Sequence, residues 1–241
     1  MKVAGGFGGG AGFGYTYFMT EQWGISTGLE FSLSSSTLTA DKFSDDYTLA
    51  FPRAVGEDEK LKFTSEFEGY EEKQSATYLH IPLMLRFQTT GTHRFQMGAG
   101  LKVGFALSGS YDVAIKSLTT TGDFPKTALT VYDEAQHALT TYSNVTSSGD
   151  LSLGLSVALS MDVGMHWGLS DKLGLYTGVY LDYGVVNILP SPTAHLVGYD
   201  PDIAYDPTST ASPLPHNSAL TTPLVDKANL FSVGVKVGVA F

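Results

Sequence analysis

The segment from Leu151 to Leu169 alternates without interruption between apolar and small or polar side chains. Every odd position is Leu, Val, Met or Trp, whereas the even positions carry Ser, Gly, Ala, Asp or His. Successive side chains of a β-strand point to opposite faces, so this pattern predicts one long strand with an apolar face and a polar face. Such a strand constrains the fold, because its apolar face needs an apolar medium beside it.

The same alternation recurs along the chain, and the apolar residues always occupy odd positions. The further segments that show it are 3–19, 23–34, 78–88, 94–107, 173–185 and 231–241. Their connections alternate between short turns and long polar stretches at about 39–74, 116–149 and 190–228. Seven antiparallel strands in one domain, residues 1–241, follow from this order, and Leu61, Phe63 and Phe67 are expected to extend one strand with unchanged parity.

Composition excludes several other classes of protein. The chain is 43% apolar and 16% charged, yet it has no apolar run of the length that a membrane-spanning helix needs. A formal charge of -10 argues against nucleic acid as a partner. The chain has no cysteine, so disulfide and thiolate chemistry are excluded.

Two kinds of antiparallel barrel fit a meander of long strands. A soluble ligand-binding barrel of the lipocalin type places apolar residues inside, whereas a membrane barrel places them outside. The even face, made of Gly, Ser, Ala and a few charges, could not line an apolar pocket, and the odd face would be insoluble in water. We therefore predict an all-β, antiparallel up-and-down transmembrane β-barrel.

Aromatic residues cluster beside the short turns. Tyr15 and Tyr17 end the first strand, and Trp23 and Trp167 also lie near short turns. An interfacial girdle of a membrane barrel would place aromatic residues there. The alternative is the general preference of aromatic residues for strands.

Two segments resemble those of bacterial outer-membrane barrels. The run from Tyr78 to Phe87 is similar to a strand of Bacteroidetes barrels of the OmpA-like and PorT-like kind. The final strand resembles the C-terminal signal that the barrel-assembly machinery reads, with its outward residues Phe231, Val233, Val235, Val237, Val239 and Phe241. The resemblance implies a location in the bacterial outer membrane and a barrel of eight strands with short periplasmic turns and long extracellular loops. It also implies contact with outer-membrane lipid and lipopolysaccharide.

Seven strands leave an eight-stranded barrel one strand short. Counting back from the last strand places Met1 on the side of the long loops, whereas single-chain barrels of this kind have an even strand number. We hypothesise that a strand before Met1 belongs to the natural protein. The alternatives are that a segment of a long loop or a partner covers the free edge.

Charged side chains on the even face are expected to meet inside the barrel. The predicted lumen network comprises Glu30, His80, Arg86, Lys102, Asp162, Asp182 and Lys236. Charges in a narrow lumen must be paired or hydrated, so the first interpretation is a network that plugs the barrel. The alternative is a narrow, porin-like pathway for ions or small solutes.

Catalysis, cofactors and metals find little support in the sequence. His80 and His166 are inward, His93 is in a turn, and His137, His195 and His216 lie in long loops without a recognisable partner spacing. We expect no enzymatic activity and no cofactor, and a surface-lipid hydrolase is the remaining catalytic alternative. The acidic first loop could bind an extracellular ligand, or it could be a solvated strand extension.

Overall fold

The chain folds into one antiparallel β-sheet. The computed structural model describes residues 1–50, 60–126, 128–170, 172–192, 194–204, 212 and 214–241. Its strands are β1 (Lys2–Gly5), β2 (Gly9–Phe18), β3 (Trp23–Ala50), β4 (Lys60–Gln88), β5 (His93–Phe124), β6 (Leu129–Val131), β7 (Thr141–Asp150), β8 (Ser156–Ser170), β9 (Leu173–Gly184) and β10 (Phe231–Ala240). A short helix, α1 (Pro201–Ala204), and single 3₁₀ turns at Ala135–His137 and Ala219–Thr221 complete the elements.

Neighbouring strands in the chain are neighbours in the sheet. The order is β1-β3-β4-β5-β8-β9-β10, with β2 following β1 along β3, and β6 and β7 also pairing with β5. Every recorded pair is antiparallel, which confirms the predicted up-and-down topology. The sheet is not closed, because β2 and β10 form its two ends without pairing with each other. Among the described residues, no helix is long and apolar enough to span a membrane.

Two predicted strands are interrupted or shortened in the structure. The first predicted strand is divided at Gly6 to Gly8, where the Ser35 hydroxyl donates a hydrogen bond of 2.7 Å to the Phe7 carbonyl oxygen. The strand predicted from Leu151 begins only at Ser156. Leu151 is instead buried against the upper part of the sheet, and its amide donates to the Gly109 carbonyl oxygen at 2.9 Å.

The strands β3, β4 and β5 are much longer than their neighbours. They contain 28, 29 and 32 residues, whereas about 9–11 residues cross a bilayer in a tilted strand. Most of the described residues of the predicted loops 39–74 and 116–149 are therefore strand. We call residues 36–50, 60–76 and 108–124 the projecting sheet. The third loop, 190–228, contains no strand in its described part and packs on the projecting sheet.

The buried residues occupy even positions in one half of β4 and odd positions in the other. Near the short turns, odd residues such as Leu83 are exposed (59%) and even residues such as Met84 are buried. In the projecting sheet, Leu61, Phe63 and Phe67 are odd and buried. The prediction that these three residues extend one strand at odd positions is confirmed by β4. Their odd face points inward rather than outward, however, because the face that meets water must be polar.

The change of face on β4 occurs at Gly69. Its φ is +66°, a backbone conformation that glycine adopts readily. The buried residue before it, Phe67, has an odd number, whereas the buried residue after it, Tyr70, has an even number. On β5 the register with β4 shifts opposite Thr77 and Tyr78, and there too the buried residues change between even and odd positions. The apolar core formed in this way includes Leu38, Leu61, Phe63, Phe67, Val113, Ile115, Leu118, Leu139, Leu196 and Val197.

Candidate functional site: the lumen network and the cap

A lysine on the central strand of the sheet contacts two strands that lie on opposite sides of it. The Lys102 Nζ on β5 lies 3.0 Å from Glu30 Oε1 on β3 and 2.7 Å from Asp182 Oδ2 on β9. The Ser160 hydroxyl donates to the other Asp182 oxygen at 2.6 Å. Because β3 and β9 are separated by three strands in the sheet, these contacts show that the polar face curves around a lumen.

A second ion pair lies closer to the short turns. Arg86 on β4 pairs with Asp162 on β8, and the Arg86 Nε also donates to the Ser26 hydroxyl at 3.0 Å. The Tyr176 hydroxyl donates to Asp162 Oδ1 at 2.9 Å. The three ion pairs of these two groups are largely removed from solvent, so each charge depends on its partner for stability in the lumen.

The lowest polar layer contains residues outside the predicted network. The Arg94 guanidinium contacts Gln88 Oε1 at 3.3 Å and His166 Nδ1 at 3.4 Å, and Gln96 donates to the same Gln88 oxygen at 3.1 Å. All four side chains occupy even positions next to short turns. Their parity could have identified them, but neutral Gln and His give little reason to expect a charged layer.

Five of the seven predicted lumen residues lie in these two ion-paired groups. The other two do not. His80 hydrogen bonds through Nε2 to the Ser32 hydroxyl at 2.9 Å, and it is buried without an ion-pair partner among the described residues. Lys236 is exposed on β10, where its register partner is Gly178. In the described part of the chain, Lys236 has no carboxylate within ion-pair distance.

Above the lumen, a buried glutamate attaches the third loop to the projecting sheet. Glu72 is fully buried on β4 and accepts hydrogen bonds from the Tyr70 hydroxyl and from Gln74 Nε2, the latter at 2.8 Å. From the loop it accepts a further bond from the Ser218 hydroxyl and one from the Ala219 amide at 2.8 Å. We call residues 194–204 and 214–225, which pack on the projecting sheet, the cap.

A second contact attaches the beginning of the cap. His195 stacks on Tyr47 with ring centroids 3.8 Å apart, and its Nδ1 lies 3.5 Å from Asp45 Oδ2. The same Asp45 oxygen accepts from the Leu196 amide at 3.3 Å. Burial raises the pKa of Tyr47 to about 12, so its hydroxyl stays protonated over the physiological range.

The second segment of the cap contains a half-buried histidine. Burial lowers the pKa of His216, and its Nε2 has no hydrogen-bond partner among the described residues. The Tyr111 hydroxyl of β5 donates to the His216 carbonyl oxygen at 3.1 Å. The cap thus combines an apolar core with polar contacts that involve Glu72, Asp45 and His216.

The predicted girdle residues lie on the outward face near the short turns. Tyr15 is 71% exposed and Tyr17 63%, and Trp23 contacts Phe87 with ring centroids 5.0 Å apart. The Trp167 indole donates to the Thr177 hydroxyl at 2.9 Å. The predicted insertion-signal residues Phe231, Val233, Val235, Val237, Val239 and Phe241 are all exposed.

Catalytic and metal-binding arrangements find little support in the geometry. No group of three or more His, Asp or Glu side chains that could hold a metal occurs in the described part of the chain. The Ser32–His80 pair has nucleophile-to-base geometry, but the His80 Nδ1 lacks the hydrogen-bond partner that would orient the ring, as far as the described residues extend. Residues 51–59 belong to the first predicted loop and Asp171 to a predicted turn. They lie outside the part of the chain that the structure describes.

Comparisons with known proteins agree with this architecture. A family model described as an outer membrane protein beta-barrel domain matches residues 4–188. No curated protein and no solved structure matches the chain. The matched region extends from the first strand to just beyond β9, and it contains both ion-paired layers of the lumen. The chain therefore belongs to the outer membrane protein β-barrel family and is a protein of the bacterial outer membrane.

Proposed function

We propose that the protein is a barrel with a largely plugged lumen, and that it acts through the surface of its projecting sheet and cap. The observation that carries the proposal is the contact of Lys102 with both Glu30 and Asp182, which places a paired cation across the lumen. A barrel of about eight strands is only wide enough for side chains to fill it. The cap adds a packed apolar layer above these charges.

The projecting sheet offers an acidic outer surface. Exposed carboxylates on its strands include Asp41, Asp46, Glu66, Glu68, Glu71 and Asp112. Binding groups often lie on segments held by a rigid scaffold, and here the buried core supports the strands that present these acids. We propose that this surface is extracellular and meets a ligand or partner there, whereas the short turns are periplasmic.

The remaining outer surface fits contact with lipid. The exposed odd residues of β3 to β10 include Leu29, Leu83, Leu101, Met161, Val179 and Val235. We propose that outer-membrane lipid and lipopolysaccharide cover this surface, and that the barrel-assembly machinery recognises the last strand. These proposals follow the resemblance to OmpA-like and PorT-like barrels of Bacteroidetes.

Conductance in a planar lipid bilayer tests the plugged lumen. The purified protein should produce no steady ion-sized openings, because the paired charges and the cap obstruct the lumen. Stable openings whose size changes in Lys102→Gln would overturn the proposal. Glu71→Gln serves as a matched control, since Glu71 is exposed on the projecting sheet.

A narrow channel is the second candidate. A cavity of about 340 Å³ lies beside Lys102, His80 and Tyr180, so the lumen is not filled along its whole height. Reproducible openings with an ion preference that reverses in Lys102→Glu would favour this candidate. A hydrolase is the third and weakest candidate, and it requires lipid cleavage that disappears in His80→Gln.

A further inference from the structure

The ion-paired group around Lys102 contains more acid than base. The Lys102 ammonium pairs with two carboxylates, those of Glu30 and Asp182. The group around Arg86 is balanced by comparison, because Arg86 pairs with the single carboxylate of Asp162. The group around Lys102 therefore has an excess of one negative charge in the lumen.

This excess is located at one oxygen of Glu30. Asp182 uses both of its oxygens, because the Ser160 hydroxyl donates to Oδ1 at 2.6 Å and Lys102 donates to Oδ2 at 2.7 Å. Glu30 accepts from Lys102 at Oε1, whereas its Oε2 has no hydrogen-bond or ion-pair partner among the described residues. One carboxylate oxygen thus lies unpaired in the lumen, where an uncompensated charge is costly.

Glu30 borders a cavity with polar walls. The cavity has a volume of about 340 Å³ and is lined by residues of the central strands as well as of the end strands. Its hydroxyl groups belong to Ser32, Ser34, Ser156, Tyr180 and Ser232. Carboxylate, hydroxyl and water oxygens are the ligands that hard cations prefer, and a cavity of this size holds several water molecules beside an ion.

Two further basic residues of the lumen lie at other levels. Arg94 is about 26 Å from Lys102 along β5, and Lys236 is about 13 Å from Ser232 along β10, at ~3.3 Å per residue. Lys236 is also exposed, and the interaction between exposed charges is largely screened beyond about 8 Å at physiological salt. Neither residue therefore compensates Glu30 directly.

His80 is the remaining side chain on the described wall of the cavity that could carry a positive charge. It is 7% exposed, its Nε2 lies 2.9 Å from the Ser32 hydroxyl, and its Nδ1 has no hydrogen-bond partner among the described residues. A protonated ring donates from both nitrogens, so a single contact fits a neutral ring. His80 then adds a polar surface to the cavity but no charge.

We propose that the cavity binds one hydrated monovalent metal cation, of the sodium type, at Glu30 Oε2. A monovalent ion balances the single excess charge, whereas a divalent ion would leave an excess of one positive charge beside Lys102. Ser32 and Ser34 follow Glu30 at the next inward positions of β3 and supply neutral oxygen ligands. The site rests on the plugged lumen proposed above, since a lumen blocked around Lys102 retains the ion instead of conducting it.

Equilibrium dialysis with radioactive sodium tests the site. The full chain is purified in detergent micelles, and millimolar sodium is exchanged against a bulky organic cation, so that the ionic strength stays constant. We expect saturable binding of one sodium ion per chain, with competition by potassium. The absence of saturable binding would overturn the proposal.

A pair of glutamate variants tests the ligand. Glu30→Gln removes the excess charge and should lower the sodium affinity by about tenfold or more, as expected for loss of a charged partner. Lys102 keeps its contact with Asp182 in this variant, so the chain should fold, and circular dichroism checks that it does. Glu71→Gln is the matched control on the exposed projecting sheet and should bind sodium as the unmodified chain does. Equal affinities for Glu30→Gln and the unmodified chain would contradict the proposed ligand.

Two further measurements separate the site from its alternatives. His80→Asn should bind sodium as the unmodified chain does, and binding that appears only in this variant would show that a protonated His80 balances Glu30, which would overturn the proposal. A closed record in a planar bilayer without saturable sodium binding would overturn the cation site and leave the plugged lumen standing. Stable openings would overturn the plugged lumen, on which the site rests.

Discussion

The membrane half and the projecting half of the long strands use one alternating pattern with opposite results. On β4, Leu83 points outward and is 59% exposed, whereas Leu61 has the same parity and is completely buried. In the membrane half the charges face inward, and in the projecting half the aromatic and aliphatic side chains face inward. The solvent outside determines the difference, because lipid requires an apolar exterior and water a polar one.

The largest expected effect comes from the charges that the membrane half buries. Lys102→Met leaves Glu30 and Asp182 without their cation, and removal of one partner of a buried ion pair costs about 3–5 kcal/mol. Urea unfolding in lipid vesicles measures the free energy of unfolding. The matched variant Lys236→Met should change it little, since Lys236 is exposed, and similar losses for both lysines would contradict the paired network.

A pair of leucines on one strand tests the contrast between the halves directly. Leu61→Ala should destabilise the projecting half by about 2–5 kcal/mol, because it creates a cavity in a packed core. Leu83→Ala should cost less than about 1 kcal/mol, because mobile lipid fills the space beside an exposed side chain. The measurement is again denaturant unfolding, and equal losses would remove the distinction.

A pair of neighbouring glutamates tests how the cap is attached. Glu72→Gln loses acceptor capacity for the Ser218 hydroxyl and the Ala219 amide, and should weaken the cap by about 1–3 kcal/mol. The expected result is faster proteolysis within residues 190–228 while the membrane half stays folded. Glu71→Gln should leave the rate unchanged, because Glu71 is exposed and forms a surface ion pair with Lys73.

The smallest effect concerns pH and is confined to the cap. Burial lowers the pKa of His216 from its ordinary value of 6.5, so the stability that depends on the neutral ring is present above pH 6.5 and is lost as the pH falls through the lowered pKa. Proteolysis within residues 190–228 should therefore accelerate on acidification. His216→Asn should reduce this dependence, and an unchanged pH profile would assign it to other groups.

Alternation in the sequence predicts the strands and the facing of their membrane half, but it does not predict which way the projecting half faces. The pattern from Leu151 to Leu169 anticipates most of β8, and inward parity anticipates the ion pairs of Lys102 and Arg86. Leu61, Phe63 and Phe67 have the same parity as the lipid-facing residues, and Gly69 gives no local sign that the burial changes beside it. The face depends on the surrounding medium, which a period of two does not encode.

Long-range contacts explain why the cap escaped prediction. Glu72 belongs to a run of acids that reads as a solvated surface, and only its contacts with Ser218 and Ala219 distinguish it from Glu71. Those partners lie far away in the sequence, in a loop with no strand pattern. Similarly, β3, β4 and β5 continue through regions whose polar composition indicated loops, because their burial depends on the cap that covers them.

Cysteine accessibility along β4 tests the central claim, which is that the lipid-facing parity turns inward beyond Gly69. Single cysteines introduced in place of Leu83, Phe63 and Glu66 would carry a fluorescent probe or be exposed to a water-soluble thiol reagent in intact vesicles. We predict that a probe at position 83 is quenched by nitroxide lipids, that the thiol at position 66 reacts rapidly with the water-soluble reagent, and that the thiol at position 63 reacts only when the cap unfolds. Rapid labelling at position 63, at the rate of position 66, would contradict the account.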